Sequence, residues 1–293
     1  MNAPDQRQLI VQRYVNRRQF YTANSVTTRF VANLAGEGLE PFASKNGTAF
    51  MARWQSNLFF VTNRHVLDYN YKEENRVNSA ELSSVEIRGY GQPVDVSLAP
   101  IPYSYTHAMS RSGICFHPDE STDLAVINAT DGNAFSPSIH DLIEVLCAYT
   151  QEWFASESEI DGLWPGDEVF IPGYPGMAGG SERPVLVKGI IASDPRYPAV
   201  FGNATNLGNA VLCHSFSWNG MSGAPVLGFS ESIGKTKVIG INAGHVGGSG
   251  VTGGVISHFV RSSALIELLE VASAQWHAVI DPPDPLSPIP PAP

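Results

Sequence analysis

The sequence is poor in charge and in cysteine, and each shortage removes a class of function. Only 16% of its 293 residues are charged, and the balance is acidic, at a net charge of -10 and a pI near 5.2. Such a chain offers no electrostatic footprint for nucleic acid. Its basic residues are scattered apart from Arg13, Arg17 and Arg18, which read as a solvated face. The three cysteines, Cys115, Cys147 and Cys213, are odd in number and widely spaced. They predict buried thiols in a reducing cytosol, not a disulfide framework. Cys213 and His214 are adjacent, and strand neighbours face opposite ways, so no thiolate–imidazole pair is expected. No stretch approaches the ~20 apolar residues of a membrane span. Leu9-Ile10-Val11 is cut short by Gln12 and Arg13, so no secretory signal forms there.

Cofactor fingerprints are also missing. The Gly-rich stretch from Gly247 to Gly254 has no following Lys-Ser or Lys-Thr to cradle phosphate. His107 and His117 lack close ligand spacing and cysteine support, so they read as loop histidines and no metal or organic cofactor is expected. What is abundant is turn-forming residues: 27 Gly and 21 Pro beside 43% hydrophobic residues. That composition predicts a β-rich chain, long enough to bury a full core as one large unit or two lobes.

Apolar runs place the elements. Leu58 to Val61 and Leu124 to Ile127 are continuous, as in strands buried on both faces. Further strands are expected over Glu168–Ile171, Val185–Ala192, Ala210–Phe216, Ala224–Phe229 and Lys237–Ala243. A helix is expected over Ser262–Ala274, with Ser262 or Ser263 as its N-cap. The loop from Asp68 to Asn78 is charged and reads as exposed. The acidic segment Glu152 to Glu168 reads as the connection between two lobes. The division is a polar leader over 1–40 with helical potential from Gln6 to Phe20, a first lobe over 41–155, a second with the helix over 156–275, and a tail over 276–293. Residues 281–293 hold seven prolines, and are expected to be extended.

Three short motifs carry chemistry. A Ser hydroxyl is a weak nucleophile until a His takes its proton, and that His needs a carboxylate to hold its tautomer. His65 ends Thr62-Asn63-Arg64-His65 after the first apolar run, Asp123 precedes the second, and Ser222 lies in the turn Gly220-Met221-Ser222-Gly223-Ala224-Pro225. With Asn46-Gly47-Thr48-Ala49-Phe50, Gly173-Tyr174-Pro175 and Val238-Ile239-Gly240-Ile241-Asn242, these stretches resemble the chymotrypsin/trypsin-like serine proteases. The bacterial branch, with its HtrA-type and glutamyl endopeptidase members, is the nearest in motif. The resemblance covers about residues 47–269. It implies an all-β fold of two six-stranded antiparallel barrels with a C-terminal helix. It also implies a bacterial endopeptidase working through an acyl-enzyme, with protein or peptide substrates; the unpaired cysteines and the lack of a signal or span add the expectation of a cytoplasmic protein with no membrane partner.

Carried over residue by residue, the resemblance makes His65, Asp123 and Ser222 the triad. The backbone N–H groups of Gly220 and Ser222 form the oxyanion hole. Phe216 falls at the base of the specificity pocket, with Ser217, Asn242, Ala243, Gly244 and His245 along its walls. Phe216 offers no charge for Lys or Arg, so a small or medium apolar residue is the favoured substrate side chain, and an acidic one is the second choice. Two departures have consequences. Met221 replaces an acidic residue that pairs with a new N-terminus in the digestive branch, so that switch is not expected. Ala243 replaces a hydroxyl that supports the triad acid in relatives, so Asp123 needs other donors, with Thr122, Ser121 or a backbone N–H as candidates.

Other readings compete. An α/β-hydrolase elbow needs Gly-x-Ser-x-Gly, and Ala224 stands at its last position. A catalytically silent relative that binds peptide by strand addition, as scaffold or sensor, is the alternative of another class. A third keeps the chemistry under the control of an activating partner or effector that orders the oxyanion loop. No further peptide-binding domain of the HtrA kind is legible in these residues, so cleavage of a few chosen targets is expected.

Overall fold

The computed structural model describes residues 15–33, 38–73, 76–108, 113–130, 134–142, 145–176, 182–197, 199–201, 205–206, 210–229, 235–246 and 253–280. Nine strands build the first lobe: β1 (Ala23–Ala32), β2 (Glu40–Trp54), β3 (Asn57–Thr62), β4 (Glu81–Gly91), β5 (Ile101–Ala108), β6 (Ile114–Phe116), β7 (Ala125–Asn128), β8 (Phe135–Ser136) and β9 (Ala148–Tyr149). They pair in the order β6-β7-β3-β2-β1-β4-β5-β8, with β9 parallel to β2. The second lobe holds β10 (Glu168–Gly173), β11 (Val185–Ile191), a short pair β12 (Val200–Phe201) and β13 (Thr205–Asn206), then β14 (Ala210–Trp218), β15 (Pro225–Gly228), β16 (Lys237–His245) and β17 (Gly253–Arg261). Six of these close into a barrel, β10-β11-β14-β17-β16-β15. The helices are α1 (Arg17–Phe20), α2 (Arg64–Leu67), α3 (Ile139–Leu142), α4 (Glu157–Asp161) and α5 (Ser262–Ile280).

Of the two expected six-stranded barrels, one is a closed barrel and the other a curled sheet that stays open among the described residues. Its outermost strands, β6 and β8, are three and two residues long and do not pair with each other. The expected leader over 1–40 also ends too late. Residues 23–32 form β1, paired on one side with β2 and on the other with β4. Its inward side chains are Val26, Thr28, Phe30 and Ala32, a weak apolar signal because hydroxyls interrupt it. Helix in the former leader is one capped turn, with Asn16 accepting from Gln19 N–H and Gln19 returning the bond. The remainder of the expected helix from Gln6, and the Pro-rich tail, lie outside the described residues.

The acidic connection is docked, not free. Ser156 and Glu159 form a capping box at the start of α4, Glu159 holds Lys237 at 2.6 Å, and Glu157 pairs with Arg261. The C-terminal helix then joins the lobes. Leu265, Leu268 and Leu269 are fully buried in one cluster with Phe50, Val61 and Val126 of the first lobe and Ile241 of the second. Each such leucine contributes about 1.5–3 kcal/mol through burial. Ser262 begins α5 inside the barrel seam, where its hydroxyl donates to Ala155 O at 2.6 Å.

Candidate active site

Strand register brings the first two site residues together. β3 runs antiparallel to β7 with Thr62 opposite Ala125, so the exit of β3 lies beside the entry of β7. His65 comes just after that exit and Asp123 just before that entry. Asn63 staples the two segments, its Nδ2 donating to Asp123 O at 2.7 Å. His65 N–H donates to Asp123 Oδ1 at 3.0 Å, and His65 Nδ1 lies 2.7 Å from Asp123 Oδ2. The carboxylate accepts, so the neutral ring carries its proton on Nδ1 and leaves Nε2 as the base. Asp123 is buried. Burial alone pushes its carboxyl pKa up, but the His65 charge, two His65 donors and Lys72 outweigh it and the net direction is down.

The donors that replace the missing hydroxyl were only partly foreseeable. A backbone N–H, that of His65, is one of them. Thr122 and Ser121 are not: their hydroxyls bond Asp119, at 3.0 and 2.8 Å. The additional donor is Lys72, whose Nζ lies 3.3 Å from Asp123 Oδ2. Sequence reasoning missed it because a lysine in a charged loop carries no mark beyond solvation.

The nucleophile turn is held by its carbonyls. A trans peptide places its C=O and N–H on opposite sides, so fixing the oxygen aims the hydrogen. Asn219 O accepts from Gly176 N–H at 2.6 Å, which turns Gly220 N–H the other way. Met221 O accepts from Ala224 N–H at 3.1 Å and from Asn242 Nδ2 at 3.0 Å, which turns Ser222 N–H likewise. Gly220 O accepts from Thr48 Oγ1 at 2.7 Å, and Thr48 Oγ1 accepts from Tyr174 N–H at 3.0 Å. Among the described residues neither Gly220 N–H nor Ser222 N–H donates a hydrogen bond. Two unpaired donors on one turn, either side of Met221, are what an oxyanion requires. Thr48 N–H also donates to Ser222 O at 2.7 Å, so the turn sits on β2 of the other lobe. Gly223 permits that approach, with φ +89° and space so tight that a Cβ would lie 2.0 Å from Thr48 O. Ser222 Oγ itself makes no hydrogen bond to His65 here.

The expected specificity residues divide. Alternation along β14 turns Ser215 and Ser217 inward and leaves Phe216 exposed, its ring centroid 4.0 Å from that of Trp218. Phe216 therefore closes no pocket floor. Asn242 is buried, bonding Ser217 Oγ at 3.3 Å as well as Met221 O, which makes it a brace for the turn and not a pocket wall. Ala243 is buried, while Gly244 and His245 are half-buried at the end of β16. Opposite Gly244 on β17 stands His258, in a segment that the sequence reading assigned to no element. His258 Nδ1 is covered and without a partner among the described residues. Burial first, then the Lys72 charge, lowers its pKa to about 4, against the pull of Asp123.

His107 lies on β5, and His117 is buried, not looped into solvent, with Nε2 3.6 Å from Glu267. No group of three or more His, Cys, Asp or Glu is arranged for a metal among the described residues. Cys213 is buried and His214 exposed on alternate faces of β14, as expected.

No curated protein matches the chain. A solved structure, an HtrA-type protease AlgW with decapeptide, superposes with a TM-score of 0.51 at 15% identity, over 88% of this chain. This chain spans 66% of that structure's length. The likeness establishes a chymotrypsin-like fold. The model of the trypsin-like peptidase domain matches residues 47–241, from the strand that receives the nucleophile turn to the strand that braces it. The chain belongs to the trypsin-like peptidase domain family.

Proposed function

We propose that this protein is a serine endopeptidase using His65, Asp123 and Ser222. One observation carries the reading: the His65–Asp123 pair, with its ring and backbone contacts, stands in the same molecule as a turn whose two N–H groups are aimed and unpaired. His65 takes the Ser222 proton as Oγ attacks the scissile carbonyl, forming a tetrahedral intermediate. The N–H groups of Gly220 and Ser222 receive its oxyanion. His65 then protonates the leaving amine, and water repeats the sequence to release the acid. Asp123 stays ionised and orients the ring.

The substrate is a protein or peptide. We place its side chain beside Ala243, Gly244 and His245 at the end of β16. The three thiols form no bridge, which supports a reducing, cytoplasmic setting.

The absent Ser222–His65 hydrogen bond favours a second form of the same reading, in which a partner or substrate completes the triad. Catalytic bonds are commonly long before substrate binds. Intact-mass labelling with a fluorophosphonate tests both. One adduct on the wild type and none on Ser222→Ala or His65→Ala supports the enzyme. Labelling of wild type only after lysate is added supports the partner-completed form. No adduct under either condition, with peptide still bound, leaves the catalytically silent binder and overturns the proposal.

A further inference from the structure

Lys72 takes part in no step of the proposed mechanism. Its Nζ is 3.3 Å from the same Asp123 oxygen that accepts from the His65 ring, yet half of its side chain faces solvent. Its backbone is left-handed, φ +61°, a conformation that a non-glycine residue adopts rarely and at a cost. The surrounding loop is fixed from three sides. Tyr71 Oη donates to Ser121 O at 3.0 Å, two residues from the acid, and the Lys72 ammonium stands 5.0 Å over the Tyr71 ring. Arg64 lies 4.8 Å from the same ring. Lys45 Nζ donates to Tyr69 O at 3.1 Å and to His65 O at 3.2 Å. Lys72 is thus presented to the carboxylate by built structure.

We propose that Lys72 is a positioning residue that acts through Asp123, sharing its charge with His65 and so setting the lower pH limit of activity. This rests on the proposed function. Protonating the His65 ring puts a second cation on one carboxylate. Without Lys72 the full carboxylate charge is left for the imidazolium, and activity is lost sooner as pH falls. Other charged and titratable groups surround this cluster: His258 and His245 from β17 and β16, Arg64 from α2, Lys45 from β2, and Asp68, Tyr71, Glu73 and Asp119 from the flanking loops. All of these remain in the variants below, so a difference between variants reports Lys72.

The experiment measures kcat/KM against pH for the full chain and for Lys72→Gln, Lys72→Gly and Lys72→Arg. Gln removes the charge and keeps the left-handed strain, Gly removes both, and Arg keeps both. The acidic limb is expected to move upward by about half a pH unit in Gln and Gly, allowing for solvent screening, and to stay in place in Arg. In 1 M salt the wild-type limb should approach that of the Gln variant. Superposed limbs for wild type, Gln and Gly overturn the proposal. So does a shift in Gly alone, which would assign the effect to the backbone. Following the His65 ring by NMR in the same proteins reads the effect without turnover. If no variant hydrolyses peptide, the proposed function fails, and the ring titration still decides the part played by Lys72.

Discussion

At Gly220 the backbone turns with φ +94°, and a Cβ there would lie 2.5 Å from Tyr174 O. Both facts arise from aiming one N–H at the position of an oxyanion, so Gly220→Ala should misplace the donor before it disturbs anything else. The expected result is a fall in kcat of about 10²–10³ with KM little changed. Steady-state hydrolysis of a peptide substrate checks it; an unchanged kcat would remove Gly220 from the oxyanion hole. Residues of this kind were legible in the sequence because the chemistry accepts few alternatives. A base, an acid, a nucleophile and a glycine at the strained position each demand one residue type. Lys72 was not legible, since many positions on a loop can bring an ammonium to a carboxylate and no spacing announces which one does.

At the scale of elements, motif stretches that hold no triad residue have a common task. β2 supplies Thr48, the turn after β10 supplies Tyr174 and Gly176, and β16 supplies Asn242; together they bind the carbonyl oxygens of residues 219, 220 and 221. Thr48 is the junction, giving one hydrogen bond to Gly220 O and receiving one from Tyr174 N–H. Thr48→Val keeps the shape and leaves both partners buried and unpaired. We expect a loss of about 1–3 kcal/mol in stability together with slower fluorophosphonate labelling. Urea unfolding and labelling rates on one preparation test this, and a stability loss with unchanged labelling would confine Thr48 to a structural role. Strands were readable where burial on both faces makes an unbroken apolar run, as in β3. β1 and β17 escaped notice for related reasons. Thr28 in β1 is a buried polar residue satisfied by a bond to Val66 O, and Ser257 in β17 is buried against Ser215 Oγ at 2.5 Å. Polar residues satisfied by distant partners erase the alternation that a sequence reading relies on.

Over the whole molecule, α5 packs into a core shared by both lobes, and the nucleophile turn of one lobe rests on β2 of the other. A charge change near that seam therefore affects folding as well as turnover. His258 is the group to test. Its ring is half-buried with Nδ1 covered, and its pKa is held down to about 4, well under the usual histidine range. Above about pH 6.5 the ring is neutral in both folded and unfolded chains and contributes no pH dependence. Between about 6.5 and 4 the unfolded chain takes up a proton that the folded ring refuses, so stability falls as the pH falls. Below about 4 both states carry the proton and this loss levels off. Allowing for the partly exposed ring, His258 should account for about 2 kcal/mol across that window. His258→Phe removes the titration while keeping an aromatic ring against β16. Urea unfolding at intervals from pH 7.5 to 3.5 should show a shallower decline in the variant, with the difference concentrated between about 6.5 and 4. Parallel curves for the two proteins would mean that the folded ring accepts its proton as readily as the unfolded chain does, and that the covered Nδ1 is reached by water.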